Sequence, residues 1–263
     1  MRWLAEKRIV IIGGTAGIGL SAAQACIREG ARVVVVGRKA NSVAAAQVTL
    51  GEAAQAMEGD ATDENTAVLA IKKCQETWGG FDGLYHVAGG SGRAFGDGPL
   101  HALSLEGWNK TLELNLTALM LSNQAAVRVF QQQGSGGTIL NMSSVLAYSP
   151  SPEFFVTHAY AAAKAAVSGL TRSLAAYYAK EDIRINALAP ALVETPMAQR
   201  AANDQRIQAF IKTKQPLEGG RMGQPQDLDG AAIYFLSDFS KFTTGQVFSV
   251  DGGWDVSEGQ IPM

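Results

Sequence analysis

Apolar and polar positions along this chain alternate between two registers. Short runs of β-branched and other apolar residues, most without a polar alternate, predict strands over 8–13, 32–37, 54–58, 83–88, 138–143, 184–189 and 246–250. Between them, alanine-rich stretches read as helices over 17–28, 43–50, 64–77, 105–132, 159–180, 197–213 and 227–236. Strands that are apolar on both sides belong to parallel sheets covered from both faces. Their regular alternation with helices predicts an α/β fold with a doubly wound parallel sheet of about seven strands and right-handed crossovers. No repeat, linker or shift in composition divides the chain, so residues 1–263 are expected to form a single domain. The irregular segments near 89–99, 148–158 and 195–223 all follow strands, the place where an open α/β sheet builds its ligand crevice.

Composition narrows the picture by exclusion. With 47% hydrophobic and 17% charged residues, the chain has the makeup of a packed core and not of a disordered segment. A formal charge of −2 gives no electrostatic reason to expect nucleic acid or an anionic membrane as a partner. Cys26 and Cys74 fall in predicted helices without metal-ligand spacing and read as buried thiols in a reducing compartment. The first eight residues are too short and polar for a signal peptide, and no run reaches the roughly 18 apolar residues of a membrane span. A cytoplasmic location is expected. No His, Cys and carboxylate cluster calls for a metal.

In the run His158-Ala-Tyr-Ala-Ala-Ala-Lys164, Tyr160 and Lys164 stand four residues apart on a predicted helix, so both side chains project from one face. A free phenol, with a pKa of about 10, is a poor acid–base catalyst at neutral pH. An ammonium within about 4 Å of the phenolate is worth about 1 to 4 kcal/mol. That is enough to bring the phenol about one to three pH units closer to neutrality. The same spacing recurs by chance in many helices, so its weight depends on the rest of the chain.

The first predicted strand runs into Gly13-Gly-Thr15-Ala-Gly17-Ile18-Gly19, spaced G-x-x-x-G-x-G. Glycines there permit a tight turn and close backbone approach, while the following helix points its N–H groups at a pyrophosphate. Such turns also serve simply to pack a helix on a sheet. Position in the first strand–helix unit, with a second strand about twenty residues on, favours dinucleotide binding and a Rossmann-type sheet. The second strand ends Val36-Gly37-Arg38-Lys39, with no carboxylate where a ribose-binding acid would stand. Arg38 could meet a 2′-phosphate, so NADP(H) is favoured with NAD(H) open, although Arg38 and Lys39 also read as solvated loop charges.

Joined in one short α/β chain, these motifs make residues 6 to 254 resemble the short-chain dehydrogenase/reductase family, in its compact single-domain branch. Asp60, with Ala61 after it, is similar to the family aspartate that contacts adenine, and Ala88-Gly89 matches the end of the family's N-N-A-G motif. Asn115 in Glu-Leu-Asn-Leu-Thr, Ser144 in Asn141-Met-Ser-Ser144, Tyr160 and Lys164 match the catalytic tetrad. The segment from Asn186 through Pro190 and Val193 to Thr195 resembles the one that holds the nicotinamide carboxamide. Arg221-Met-Gly223 and Val250-Asp-Gly-Gly253 resemble the family's closing signature.

The resemblance implies an oxidoreductase that interconverts a secondary alcohol and a ketone. Tyr160 would be general acid or base and Ser144 would bind the same oxygen. Lys164 would acidify the phenol and hold ribose hydroxyls, and Asn115 would hold a relay water. It further implies a homotetramer, or else a dimer, paired through the helices around Asn115 and Tyr160.

The chain departs from the family pattern at Ile12, at His86-Val87 and at Ala191, where the family has a threonine, two asparagines and a glycine. His86 reads as structural. Tyr160 stands sixteen positions after Ser144, a few more than is common in the family, and the excess falls in the proline-bearing stretch from Ser149 to Thr157. There Phe154 and Phe155 could wall the substrate pocket or pack on a neighbouring subunit. Arg93 could bind a substrate carboxylate or be solvated, and His158 is a further candidate pocket residue. Two other functions stay in view: a catalytically silent dinucleotide-binding regulator, and a nucleotide-sugar epimerase or dehydratase. The intact tetrad weighs against the first, and a chain reaching only ten residues past Gly253 weighs against the second.

Overall fold

The computed structural model describes residues 2–261; Met1, Pro262 and Met263, and with them both ends of the span expected at 1–263, lie outside the described residues. Seven strands form one parallel sheet: β1 (Arg8–Ile12), β2 (Arg32–Gly37), β3 (Ala54–Glu58), β4 (Gly83–His86), β5 (Gly137–Met142), β6 (Ile183–Pro190) and β7 (Val247–Val250). Their order is β3-β2-β1-β4-β5-β6-β7, so the winding reverses between β1 and β4. That reversal opens a crevice at the carboxyl ends of the two central strands.

Alternate residues of each central strand go to opposite faces. Ile9 and Ile11 of β1 pack with α1 (Gly17–Arg28), α2 (Ala40–Leu50) and α9 (Asp229–Leu236), whereas Val10 and Ile12 pack with α3 (Glu64–Trp78), α5 (Ala118–Gln133) and α6 (His158–Tyr178). A third, smaller core gathers Phe154, Phe210, Trp254 and Met222 beyond the sheet, where α7 (Gln199–Ala202) and α8 (Gln205–Lys214) lie.

Three predicted elements change shape for identifiable reasons. The helix expected over 105–132 is α4 (Leu105–Leu112), a π-helical turn over Glu113–Thr117, and then α5. In that turn Asn115 bonds across to Gly90, and π-turns of this kind often mark functional sites. The helix expected over 197–213 breaks because the Asp204 carboxylate caps a new helix through the amides of Arg206 and Ile207. The strand expected over 83–88 stops at His86, since the amides of Val87 and Ala88 both turn to the Ile12 carbonyl. None of the described helices is long and apolar enough to cross a membrane. Cys26 and Cys74 are buried thiols, each pushed up to about 12 by burial.

Candidate active site

A cleft of about 770 Å³ runs along the carboxyl ends of the strands. At one end the chain leaves β1 through Gly13, whose φ of +88° favours glycine, and the amides of Gly13 and Gly14 both donate to the Val36 carbonyl. A Cβ on Gly13 would lie 2.6 Å from the Ala88 nitrogen, and one on Gly19 would lie 2.1 Å from the Gly13 carbonyl oxygen. These glycines let three backbone segments meet. Ala16 precedes α1 without a capping side chain, and the first turn carries no acid, so its N–H groups lack an internal partner. Gly17 faces Thr195 across the cleft, and Ile18 lines it nearby.

At the end of β2, a Cβ on Gly37 would sit 2.0 Å from Thr15 Oγ1. A carboxylate could not stand there with Thr15 in place. Arg38, 61% exposed along its side chain, lies 4.0 Å from Asp60, and Ala61 completes this wall. Burial pushes the Asp60 carboxyl up, but bonds from the Thr62 amide and hydroxyl, with the charge of Arg38, hold it below its usual value. An unpartnered helix start beside a backbone cradle fits a pyrophosphate.

Midway along the cleft stand Tyr160, Lys164 and Ser144. Ser143, the neighbouring hydroxyl, bonds the Lys164 carbonyl at 2.9 Å and is thereby committed to holding α6. Lys164 is buried; its Nζ donates to the Met142 carbonyl at 2.9 Å and lies 5.5 Å from the centre of the Tyr160 ring. Burial pushes its ammonium down to about 8. The phenol of Tyr160 is not acidified: burial pushes it above its ordinary value, and the Ser144 hydroxyl only partly offsets this. In this arrangement the Lys164 ammonium is directed at the Met142 carbonyl and sits over the Tyr160 ring.

Asn115 is buried behind this group and outside the lining of the cleft. Its Nδ2 donates to the carbonyls of Gly90 and Thr111, and its Oδ1 accepts from the Gly90 amide. A Cβ on Gly89 would come 2.8 Å from that Oδ1 and 3.4 Å from Lys164 Nζ, so the loop after β4 threads between the two. His86, fully buried below, bonds the Ala88 carbonyl and Ser122; burial and then Lys164 push it down to about 3.

The cleft is further bounded by Arg93, Phe155, Pro190, Val193 and Thr195, the last of these facing the glycine turn at Gly17. The Val193 strip is pinned by a bridge to Gly223 and by both amide atoms of Gln215 on Leu192. Two expected substrate residues are not brought here. Phe154 turns its ring onto Phe210, with centroids 5.1 Å apart, and His158 stands exposed outside the lining.

Three residues went unnoticed in the sequence. Asp97 is buried and accepts from the amides of Ala159 and Tyr160, at 2.9 Å each, thereby capping the helix that carries the tyrosine. Its only signal was a lone acid in a glycine-rich loop. Arg200 lines the cleft from the segment expected near 195–223, and Trp254 lines it directly after the 250–253 signature.

A parallel sheet with this switch point, glycine turn and Ser, Tyr and Lys grouping defines a dinucleotide-dependent oxidoreductase. Residues 13–255 match the family model described as Enoyl-(Acyl carrier protein) reductase. The chain is 34% identical over 252 residues to cis-4-hydroxycyclohexanecarboxylate dehydrogenase of Sinomonas cyclohexanicum, with 95% of this chain and 97% of the relative covered. It is 35% identical over 257 residues to 2-(S)-hydroxypropyl-CoM dehydrogenase 3 of Xanthobacter autotrophicus, with 95% and 97% covered. A short-chain type dehydrogenase/reductase from Mycobacterium ulcerans superposes with a TM-score of 0.88 at 29% identity, covering 97% of this chain and 92% of that one. The chain belongs to the short-chain dehydrogenase/reductase family and is an NAD(P)-dependent oxidoreductase.

Proposed function

We propose that this enzyme interconverts a secondary alcohol and a ketone by hydride transfer with Tyr160 as general acid or base, and that it prefers NADP(H) to NAD(H). The reading rests above all on the convergence of Tyr160, Ser144 and Lys164 on one stretch of the cleft wall. The whole chain acts as one dinucleotide-binding and catalytic domain, with its substrate loops near 89–99, 148–158 and 195–223.

The coenzyme supplies the hydride. Gly13, Thr15, Gly17, Ile18 and Gly19 would hold its pyrophosphate and adenosine side, with Asp60 and Ala61 at the adenine and Ala88 and Gly89 beside the sugars. Pro190, Val193 and Thr195 would hold the carboxamide. Arg38, unopposed by any acid at position 37, favours a 2′-phosphate. In reduction Tyr160 Oη gives its proton to the carbonyl oxygen, and in oxidation it takes one from the alcohol. Ser144 Oγ donates a hydrogen bond to the same oxygen. Lys164 binds the ribose hydroxyls and stabilises the phenolate as it forms. Both N–H donors of the Asn115 amide are engaged, so a relay water would be held by the remaining lone pair of Oδ1 or by the main chain of the π-turn.

The enzyme is further proposed to work in the cytoplasm as a homotetramer. Consumption of NADPH and NADH against a panel of ketones, keto acids, quinones and sugars tests the chemistry, with Tyr160→Phe as control. Binding of NADH about tenfold tighter than NADPH would overturn the coenzyme preference. Coenzyme binding without turnover of any compound would mark a silent dinucleotide binder.

A further inference from the structure

The substrate end of the cleft carries two guanidiniums that, among the described residues, form no ion pair. Arg93 follows β4 and Arg200 lies in α7, yet their guanidiniums converge on one atom. Arg93 Nη2 donates to the Phe154 carbonyl at 3.2 Å, and Arg200 Nη2 donates to the same oxygen at 3.0 Å. The two nitrogens are therefore no more than about 6 Å apart, and like charges at that distance repel. Among the described residues, neither guanidinium has a carboxylate within ion-pair distance. Asp97, close to Arg93 in sequence, spends both oxygens on the start of α6.

Among the described residues, the acid in the cleft wall is Asp60, at the adenine end. Burial, and then the nearby Arg200, push Arg93 below its ordinary value, with Asp97 opposing. Arg200 is further held over the Phe155 ring, 5.9 Å from its centroid. The Phe154 carbonyl takes one donor from each guanidinium, which leaves most of both forks for a ligand. Both side chains line the cavity that holds Tyr160 and Ser144.

We propose that Arg93 and Arg200 form a two-guanidinium clamp for an anionic group, a carboxylate or sulfonate, borne by the alcohol or ketone substrate. An apolar body then lies between that anion and the reacting carbon, against Leu146, Phe155 and Met197. This rests on the reading of the cleft as a dehydrogenase site and adds the substrate class to it. It also gives the 149–157 segment a role: its main chain fixes both arginines, with the Phe154 ring anchoring it from behind. An anion relieves the repulsion between the guanidiniums, and planar forks suit an oxyanion in two-point contact.

Calorimetric titration of the coenzyme-loaded enzyme with cyclohexanecarboxylate, cyclohexanesulfonate and methyl cyclohexanecarboxylate, followed by linear acids of increasing length, tests the clamp without needing turnover. Acids should bind about 10- to 100-fold more tightly than the neutral ester. Arg93→Gln and Arg200→Gln should each weaken acid binding about tenfold, Arg93→Lys less, and the double variant should abolish the preference. Melting temperature and coenzyme affinity, measured on the same proteins, report folding. Equal binding of ester and acids, no acid binding, or acid binding retained in the double variant would overturn the clamp. So would coenzyme affinity lost in step with acid affinity, which would assign the arginines to a coenzyme phosphate. Selective acid binding with no alcohol oxidised would instead count against the dehydrogenase reading, while turnover of neutral ketones without acid preference would leave that reading and remove the clamp.

Discussion

The two ends of the cleft are built in different ways. At the coenzyme end, Gly13, Gly17, Gly19 and Gly37 lie within one strand–helix–strand unit, and the close approaches there involve backbone or a short side chain. At the substrate end, Asp97 reaches α6 across 62 residues of sequence, Arg93 reaches Phe154 across 61, and Trp254 Nε1 bonds the Ser149 carbonyl across 105. The first end depends on where side chains are missing. The second depends on particular polar side chains spanning separate loops. Backbone cradles suit a cofactor shared by many enzymes, whereas side-chain tethers can be exchanged one at a time to suit a substrate.

Substitutions that strike one end alone should separate these two kinds of construction. The largest effect is expected where they meet. Tyr160→Phe removes the proton donor but leaves the cradle, so kcat should fall about 10²- to 10⁴-fold while coenzyme affinity stays within about twofold. Parallel turnover and fluorescence titration would show it, and retained turnover would remove Tyr160 as the acid.

Gly19→Ala is the converse test. Its Cβ would meet the Gly13 carbonyl oxygen at 2.1 Å, a backbone atom that cannot swing aside. Displacing the turn should weaken coenzyme binding by about tenfold or more and cost about 1 to 3 kcal/mol of stability. Undiminished coenzyme affinity would mean that the turn is not the cradle.

Asp97→Ala should cost about 1 to 3 kcal/mol by uncapping α6, because Thr157, at the helix's own cap position, makes no side-chain capping bond. Its kcat should drop more than its coenzyme affinity, and Asp97→Asn, which keeps one acceptor oxygen, should restore part of the loss. Equal losses of both parameters would mean that the loop only holds the fold together.

A pH-dependent effect concerns His86, which lies beneath the junction of the two ends. Its pKa in the folded chain, about 3, is below the usual value of about 6.5. As pH falls through that window, the unfolded chain takes up the proton first. Stability present above about pH 6.5 is therefore lost on the way down to about 3, by at most about 1.4 kcal/mol per pH unit. Urea denaturation of the wild type and His86→Asn across that range should show a shallower acid slope in the variant. Identical slopes would mean that His86 titrates normally.

The sheet and the meeting of Tyr160 and Lys164 on one face could be read from the sequence because their signals are local. Apolar runs such as Val33 to Val36 carry strand identity in adjacent residues, and Tyr160 and Lys164 declare their shared face by spacing. The π-turn at Asn115, the break before Asp204 and the outward turn of Phe154 could not be read this way. Each depends on a partner distant in sequence or on the balance between two packing surfaces.

Length, glycine placement and the order of strands and helices, all properties of neighbouring residues, thus determined the architecture and the coenzyme end of the cleft. Only the tertiary structure decided that Asp97 caps the helix that carries Tyr160, that Arg93 and Arg200 share one carbonyl, and that burial raises the phenol above its ordinary pKa. The reason is physical: burial, field and hydrogen-bond partnership depend on distances in space between segments far apart in the chain, and no spacing along the chain encodes those distances.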